Sequence, residues 1–520
     1  MTKGALAKGA VILSIAGFIS KIIGAGYRIP LFRLIGAEGM GIYQMAYPLY
    51  TLLLTISSAG IPVAVSKLVA ERVVLNDRQG TRDILLVSLV MLSLIGALCT
   101  TALYILAGFL SREVLKDERA YYSIVAIAPA VFFVGLMSVF RGYFQGFQQM
   151  YPTAISQIIE QAVRVATVLI GAYLFLPRGI EYAAAAATSG AVAGAVAGLG
   201  VLLVCYVWKS AILPPVWTKG MGGKSLSLLM TGYRILALSL PISFGGLVLP
   251  MVQILDAVTV PLRLQQAGYS VAKAAELYGE LTGGAVTLVN VPTIFTLALA
   301  TSLVPVISEL HARKNKFQIY RNVNAAVKAA VSICLPAAVG LYLLAEPIAD
   351  LLFNCPEAGI PLSILAPAAV FLGLHQTTSG VLQGLGRTHL PVKNLLVGVV
   401  VKLGLNYYLT GLPVFGIKGP ALGTLAGFCV SSVLNLADLH RVTDWRLSRQ
   451  VLSKPAVAAT IMAVGVYLTF GFLKLTYNMH LATVLTVLFG AGIYFVVLAL
   501  IDRGSDSTIM LLVNVFRKRS

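Results

Sequence analysis

The chain is 520 residues long, 58% hydrophobic and 11% charged, against about 25% charge in an ordinary soluble protein, so it is a membrane protein with little length for an aqueous domain. Its formal charge of +19 comes from 39 Lys plus Arg against 20 Asp plus Glu. The basic residues lie scattered in short gaps between apolar segments, without aromatic platforms or zinc-finger spacing, which excludes nucleic-acid binding.

A bilayer core of about 30 Å needs roughly 20 helical residues, and backbone groups find no water there, so the expected fold is all-α and polytopic. Fourteen segments reach that length: 8–30, 42–66, 84–110, 121–141, 153–176, 182–208, 232–258, 283–308, 324–345, 358–383, 391–412, 417–438, 455–474 and 481–501. They group into a six-helix lobe over 1–225, a second over 226–445, and two additional helices with a short basic tail over 446–520. Lys21 interrupts the first apolar stretch and hydrophobicity resumes beyond it, so this reads as a retained span rather than a signal peptide. With both termini cytoplasmic, 26 basic residues fall in inside segments, Arg141 and Lys328 among them, against 10 outside, which obeys the positive-inside rule.

In chain order, the first charges of interest are Lys21, Arg28 and Arg33. Lys21 and Arg28 are seven apart and share a face if the helix stays regular. Burying such cations calls for an aqueous cavity or an anionic partner. Arg164 lies deep in the fifth span with Glu160 one turn before it, a spacing that also fits a local neutralising pair. The run AAAAATSGAVAGAVAGLG at 183–200 places Gly190, Gly194 and Gly198 at fourfold spacing and reads as close helix packing. Asp256 is a candidate for ion coupling or for pairing across the bundle, and Arg263, seven residues on, for the same vestibule. Lys402 sits within the eleventh span without a sequence-near acid and is the stronger pore candidate. Cys99, Cys205, Cys334, Cys355 and Cys429 are far apart and read as packing residues, and the five histidines are isolated. No metal-ligand spacing, nucleophile elbow or Walker loop is present, so the expectation is a transporter without cofactor or metal, and not an enzyme.

The sequence also repeats. Gln145-Gly146 precedes Arg164 as Gln383-Gly384 precedes Lys402, with a proline between each pair, at an offset of 238. Gly179-Ile180 and Gly190 match Gly416-Ile417 and Gly427 at an offset of 237. Six spans per copy is an even number, so both copies should enter the membrane in the same direction, as in parallel-repeat transporters.

The stretch SKIIGAGYRIPLFRLIGAEGMGIYQMAYP from Ser20, with GIPVAVSKLVAE from Gly60 and RGYFQG from Arg141, resembles the polysaccharide-transporter family of the multidrug/oligosaccharidyl-lipid/polysaccharide (MOP) exporter superfamily, a relative of the lipid II flippases. The resemblance spans nearly the whole chain. Ser20-Lys21 with Gly24, and Arg33 with Gly36-Ala37, match the flippase pattern, whereas Lys21 replaces its arginine and Tyr27-Arg28 stands where it has Arg-Asp. Lysine supplies charge without the bidentate fork of arginine.

The resemblance implies a flippase for an anionic lipid-linked sugar, an undecaprenyl-pyrophosphate-linked peptidoglycan precursor or related oligosaccharide, working by alternating access in the bacterial cytoplasmic membrane. Lys21, Arg28, Arg33, Arg164 and Lys402 would then line the central cavity, with Glu160, Asp256 and Arg263 in ion coupling or charge pairing. Without an ATP-binding motif, uphill movement must draw on H+, Na+ or the membrane potential. The implied partners are the lipid-linked substrate, bilayer lipids and cell-envelope synthesis machinery, with a monomer as the transport unit. An ion-coupled multidrug exporter and a nontransporting assembly protein of the cell envelope or spore cortex are the alternatives. Cationic-drug export favours acidic or aromatic pocket lining, whereas the deep positions here are net basic.

Overall fold

The computed structural model describes residues 3–58, 60–212 and 228–502, and all regular secondary structure among them is helical. The chain divides into two compact units, Met1–Pro261 and Leu262–Ser520. Among the described residues, eleven helices are long and apolar enough to cross a membrane, or twelve when the bent pair Pro356–Leu365 and Ala368–Gly384 is taken as one span. Exposed apolar side chains such as Leu98, Ile105, Val400 and Leu488 stud these helices, as an element solvated by hydrocarbon requires.

The first unit runs α1 (Lys3–Gly26), α2 (Arg28–Ser58), α3 (Ile61–Val74), α4 (Arg78–Phe109, extended by a π turn Leu110–Val114), α5 (Ala120–Ile127), α6 (Pro129–Gly146), α7 (Tyr151–Phe175), α8 (Ile180–Ile212), α9 (Leu228–Gly246) and α10 (Val248–Gln266), reaching its boundary at Pro261. Four breaks divide expected spans in this unit, between α1 and α2, α2 and α3, α5 and α6, and α9 and α10, and prolines explain the first and the last. Pro30 cannot donate to the Gly26 carbonyl, so the first helix ends there and Lys21 and Arg28 fall on different helices. Pro250 likewise cannot donate to Gly246, and the segment expected at 232–258 is divided between α9 and α10. Within α2, Gly36 takes φ 68°, a left-handed conformation that glycine alone adopts freely, and kinks the helix. The core of this unit is apolar, with Val65, Val69, Leu92, Phe140, Phe144 and Leu202 buried together.

The second unit continues with α11 (Val271–Gly279), a π turn (Glu280–Ala285), α12 (Val286–Ala312), α13 (Lys316–Leu343), α14 (Ala345–Phe353), α15 (Gly359–Leu365), α16 (Ala368–Gly384), α17 (His389–Thr410), α18 (Lys418–Thr443), α19 (Arg449–Thr476) and α20 (Met479–Ile501). Ile307, Val323, Val327, Val381, Leu439 and Trp445 form its main core.

The repeat is written in the backbone of both units. Left-handed residues Asn76, Lys116 and Gln148 recur at the sequence offset of the Gln-Gly pairs, as Lys314, Asn354 and Gly386. The N-cap carboxylate of Asp77, which accepts from the Gly80 N–H, recurs as the Asn315 amide oxygen accepting from Gln318. Helices α7 and α8 begin at Tyr151 and Ile180, and α17 and α18 begin at the equivalent positions His389 and Lys418. A Cβ on Gly142 would meet the Pro62 carbonyl and one on Gly146 would meet Val69. Gly380 and Gly384, displaced from them by the same offset, stand in the same relation to Ala300 and Ile307. Backbone caps and glycine seats have therefore been kept together as a packing scheme.

Candidate functional site

The densest buried charge among the described residues lies in the first unit, where α6 and α7 meet α8. Glu160 and Arg164 are one turn apart on α7, and Glu160 Oε1 accepts from Arg164 Nη2 at 2.6 Å. The other oxygen, Oε2, accepts from Nη2 of Arg141 on α6 at 2.8 Å, and the same nitrogen donates to Ser156 Oγ at 3.0 Å. Ser156 Oγ in turn donates to the Gly198 carbonyl at 3.1 Å. The side chains of Arg141, Glu160 and Arg164 are 16%, 10% and 12% exposed. Two cations thus share one carboxylate in a nearly dry setting, leaving a local charge of +1.

Close helix packing places this trio. A Cβ on Gly194 would lie 2.7 Å from the Glu160 carbonyl and 2.9 Å from Arg164 Cβ, and one on Gly198 would lie 2.8 Å from Met137 Sδ. The fourfold glycine spacing read from the sequence is therefore the groove in which α7 lies. In the second unit, Gly423 and Gly427 press the Lys402 carbonyl and Cβ in the same way. By these contacts Gly194, rather than Gly190, corresponds to Gly427, a shift of one helical turn from the sequence pairing.

A tyrosine face closes round the cations. Tyr43, Tyr47 and Tyr50 follow an i, i+4, i+7 spacing on α2, so they share one side of it. Tyr43 and Tyr47 stack at 5.7 Å between centroids, and Tyr47 meets Tyr50 edge-on at 5.6 Å. The Tyr27 and Tyr43 hydroxyls are hydrogen-bonded at 2.9 Å. Arg28 interacts with Tyr27, Tyr43 and Tyr47, and Arg164 with Tyr47, Tyr50 and Tyr27, so the rings connect the two cations. Buried Nε atoms of Arg141 and Arg164 and buried Oε1 atoms of Gln157 and Gln161 lack hydrogen-bond partners in this structure. Such a concentration of unmet polar atoms marks a place for a polar ligand or water.

The expected residues are thus partly gathered. Arg28, Glu160 and Arg164 come together, with Arg141 and the tyrosines added. Lys21 on α1 and Arg33 on α2 are exposed, and Asp256 on α10 is half-buried. Lys402 and Arg263 belong to the second unit. Arg263 Nε donates to the Tyr407 carbonyl at 2.8 Å, Nη1 donates to Gln266 Oε1 at 2.6 Å, and the guanidinium stacks on the Tyr407 ring at 4.3 Å. Arg263 is therefore committed to a local clamp on α17.

Three sequence readings change. Arg141, expected in a connection, lies inside α6, which continues beyond it to Gly146. Lys328, expected likewise, is buried in α13 and bonded to Asp502 at 2.7 Å, an acid that Lys454 shares at 2.9 Å. His375 is not isolated. Its Nδ1 meets Asn435 Nδ2 at 3.1 Å, Asn435 Oδ1 accepts from Asn394 at 2.9 Å, and Asn394 donates to Asp438 at 2.8 Å.

A family model described as polysaccharide biosynthesis protein matches residues 6–311, and one described as lipid II flippase MurJ matches residues 285–488. Stage V sporulation protein B of Bacillus subtilis (strain 168) is 34% identical over 448 residues, 85% of each chain. Lipid II flippase MurJ of the same organism is 28% identical over 474 residues, covering 88% of this chain and 86% of that protein. Among solved structures, a lipid II flippase MurJ in an inward closed conformation superposes with a TM-score of 0.72 at 17% identity, covering 94% of this chain and 98% of its own. An inward-facing multidrug resistance transporter of the MATE family superposes with a TM-score of 0.67 at 18% identity, covering 84% and 98%.

Proposed function

Because the chain belongs to the polysaccharide-transporter family of the MOP exporter superfamily, we propose that it is a flippase for an anionic lipid-linked sugar of the undecaprenyl-pyrophosphate class, a peptidoglycan precursor or related oligosaccharide. The observation that carries this reading is the net basic, tyrosine-walled site in the first unit, where Arg141 and Arg164 share a single buried carboxylate and Arg28 joins them through the tyrosines. A diphosphate cannot cheaply enter hydrocarbon, but a basic site replaces its hydration while the prenyl tail stays in lipid. Arginine suits this role because its planar fork grips phosphate oxygens in pairs.

In this reading the protein sits in the bacterial cytoplasmic membrane with both termini cytoplasmic. Its fourteen spans form six-helix lobes over 1–225 and 226–445 and two further helices over 446–520. Alternating access exposes Lys21, Arg28, Arg33, Arg164 and Lys402 to each side in turn. H+, Na+ or the membrane potential supplies any uphill drive, with Glu160 and Asp256 as the charge-pairing groups. A shared fold with multidrug transporters leaves drug export as the second reading, but a cationic drug would meet a positive site.

The test is movement of labelled undecaprenyl-pyrophosphoryl sugar in proteoliposomes, comparing wild type with Lys21→Ala, Arg164→Ala and Lys402→Ala. Movement by wild type that falls in the variants is expected. No movement under imposed ion and voltage gradients overturns autonomous flipping.

A further inference from the structure

Glu160 bridges two guanidiniums through separate oxygens, Oε1 to Arg164 at 2.6 Å and Oε2 to Arg141 at 2.8 Å. That is also how a phosphate bridges two arginines. Each arginine keeps a buried Nε–H without a partner, and the unpartnered Oε1 atoms of Gln157 and Gln161 lie on the same helix. The α7 backbone at Glu160 and Arg164 is held by the Gly194 and Gly198 seats, so exchange of partners has to occur through the side chains. The groups flanking the trio, Arg28, Tyr47 and Tyr50, add a further cation and neutral hydroxyls but no second acid.

We propose that Glu160 is an internal counter-ion that holds Arg141 and Arg164 in the empty carrier and yields them to the diphosphate of the substrate. This rests on the anionic-substrate reading and assigns Glu160 a positioning role within it. Without the carboxylate, the paired arginines would repel one another and bind the first anion they met too tightly to release it. With it, the diphosphate must outcompete an intramolecular partner, so binding is weaker and release at the far side is faster. A monophosphate can also bridge the two arginines, but a diphosphate brings more charge and more oxygens, so it can in addition reach the unpartnered Nε–H groups while displacing Glu160. The bridge therefore discriminates between them as well as setting the rate of release. No bond is made or broken: the carboxylate and the diphosphate exchange hydrogen bonds and ion pairs.

The experiment uses the full-length purified protein with farnesyl diphosphate and farnesyl monophosphate as soluble probes. Removing the competitor in Glu160→Gln is expected to tighten diphosphate binding about tenfold, with a smaller gain for the monophosphate. Because that variant also leaves two buried arginines uncompensated, its thermal midpoint without ligand should fall. Farnesyl diphosphate should then raise the midpoint by more than it does in wild type, because the anion replaces the missing carboxylate. Glu160→Asp, which keeps the charge, should restore weak binding, and Arg141→Gln should reduce the preference for diphosphate over monophosphate. Glu160→Gln that binds diphosphate no tighter than wild type overturns the proposal, as does a loss of folding that diphosphate does not recover. These results stand on binding and stability, so they fail separately from the flippase reading, which fails when wild type moves no lipid-linked sugar.

Discussion

At the repeat positions equivalent to Arg141, Glu160 and Arg164, the second unit carries Ser379, Gly398 and Lys402. The backbone around the two sets is alike: Gly194 presses Arg164 Cβ at 2.9 Å and Gly427 presses Lys402 Cβ at 2.9 Å. The tyrosines diverge too, with Leu281, Ala285 and Leu288 standing where the first unit has Tyr43, Tyr47 and Tyr50. Glycine seats and caps determine whether the helices pack at all, so both copies have kept them. The side chains that project from those seats bear little of the packing and have diverged, gathering charge in one copy. In the other, the polar chain His375, Asn435, Asn394 and Asp438 links α16, α17 and α18, and the buried charge lies elsewhere, where Lys328 on α13 and Lys454 on α19 share Asp502.

The sharpest way to break this comparison is to remove the equivalent cation from each unit. Arg164→Ala leaves Glu160 paired with Arg141, so no charge is left uncompensated, and loss of the charge-assisted hydrogen bond should cost about 2 kcal/mol of stability. Its transport of labelled undecaprenyl-pyrophosphoryl sugar should drop further than that of Lys402→Ala, which has glycine at the position of the acid. Equal losses in the two variants would mean that the units share the charge chemistry evenly.

Next in size are the glycine seats. A valine at Gly194 or Gly427 meets backbone carbonyl at 2.7 or 2.8 Å, and overpacking of this kind costs about 1–3 kcal/mol. Both variants should melt lower by similar amounts. Only Gly194→Val should also lose affinity for farnesyl diphosphate, because it displaces Glu160 and Arg164. A matching loss in Gly427→Val would show that the second seat also positions the anion site.

How much of this is legible in the sequence depends on the distance along the chain over which each feature acts. The apolar segments, the repeat, the Glu160–Arg164 pair and the glycine groove are local patterns, and the sequence shows them. Arg141 escapes such patterns because the apolar run fades there, although the helix continues on glycine and aromatic residues to its cap at Phe147. The burial of Lys328 depends on Asp502, 174 residues away, which no local pattern reveals. The break at Tyr27 is legible in Pro30, and the heptad of Tyr43 and Tyr50 is legible too, but charges in an apolar chain are the louder signal and mask both. The one-turn shift between Gly190 and Gly194 depends on where α7 and α8 touch, which spacing alone does not fix.

A smaller effect is expected at a second pair of equivalent sites. In the first unit Arg119 is paired with both Glu38 and Asp117. Their counterparts in the repeat are Glu357, Glu276 and Cys355, so a carboxylate stands where the guanidinium was. Glu276 turns instead to Lys273 at 2.9 Å, and Glu280 nearby is 1% exposed with Oε1 lacking a hydrogen-bond partner. Glu357→Arg would restore the cation of the first unit. Because Glu357 is exposed, the gain should be about 1 kcal/mol or less, seen as a small rise in thermal midpoint. A fall would show that the two junctions are not interchangeable.

The smallest expected effect is chemical rather than energetic. Burial, followed by the neighbouring Glu280 and Glu357 carboxylates, pushes the Cys355 thiol up to about 11, with the Ala358 backbone opposing. A raised thiol pKa means that the neutral form dominates at pH 7.5, and only the thiolate attacks an alkylating reagent. Maleimide labelling of Cys355 in the folded protein should therefore be slow at pH 7.5 and quicken as the pH approaches 11. In Glu357→Arg one of the raising carboxylates becomes a cation, so the same rise in rate should begin at lower pH. The contribution of burial remains in that variant, so the displacement should be only partial. An unchanged pH–rate profile would mean that residue 357 does not act on the thiol electrostatically. The junction would then differ from that of the first unit in shape rather than in charge.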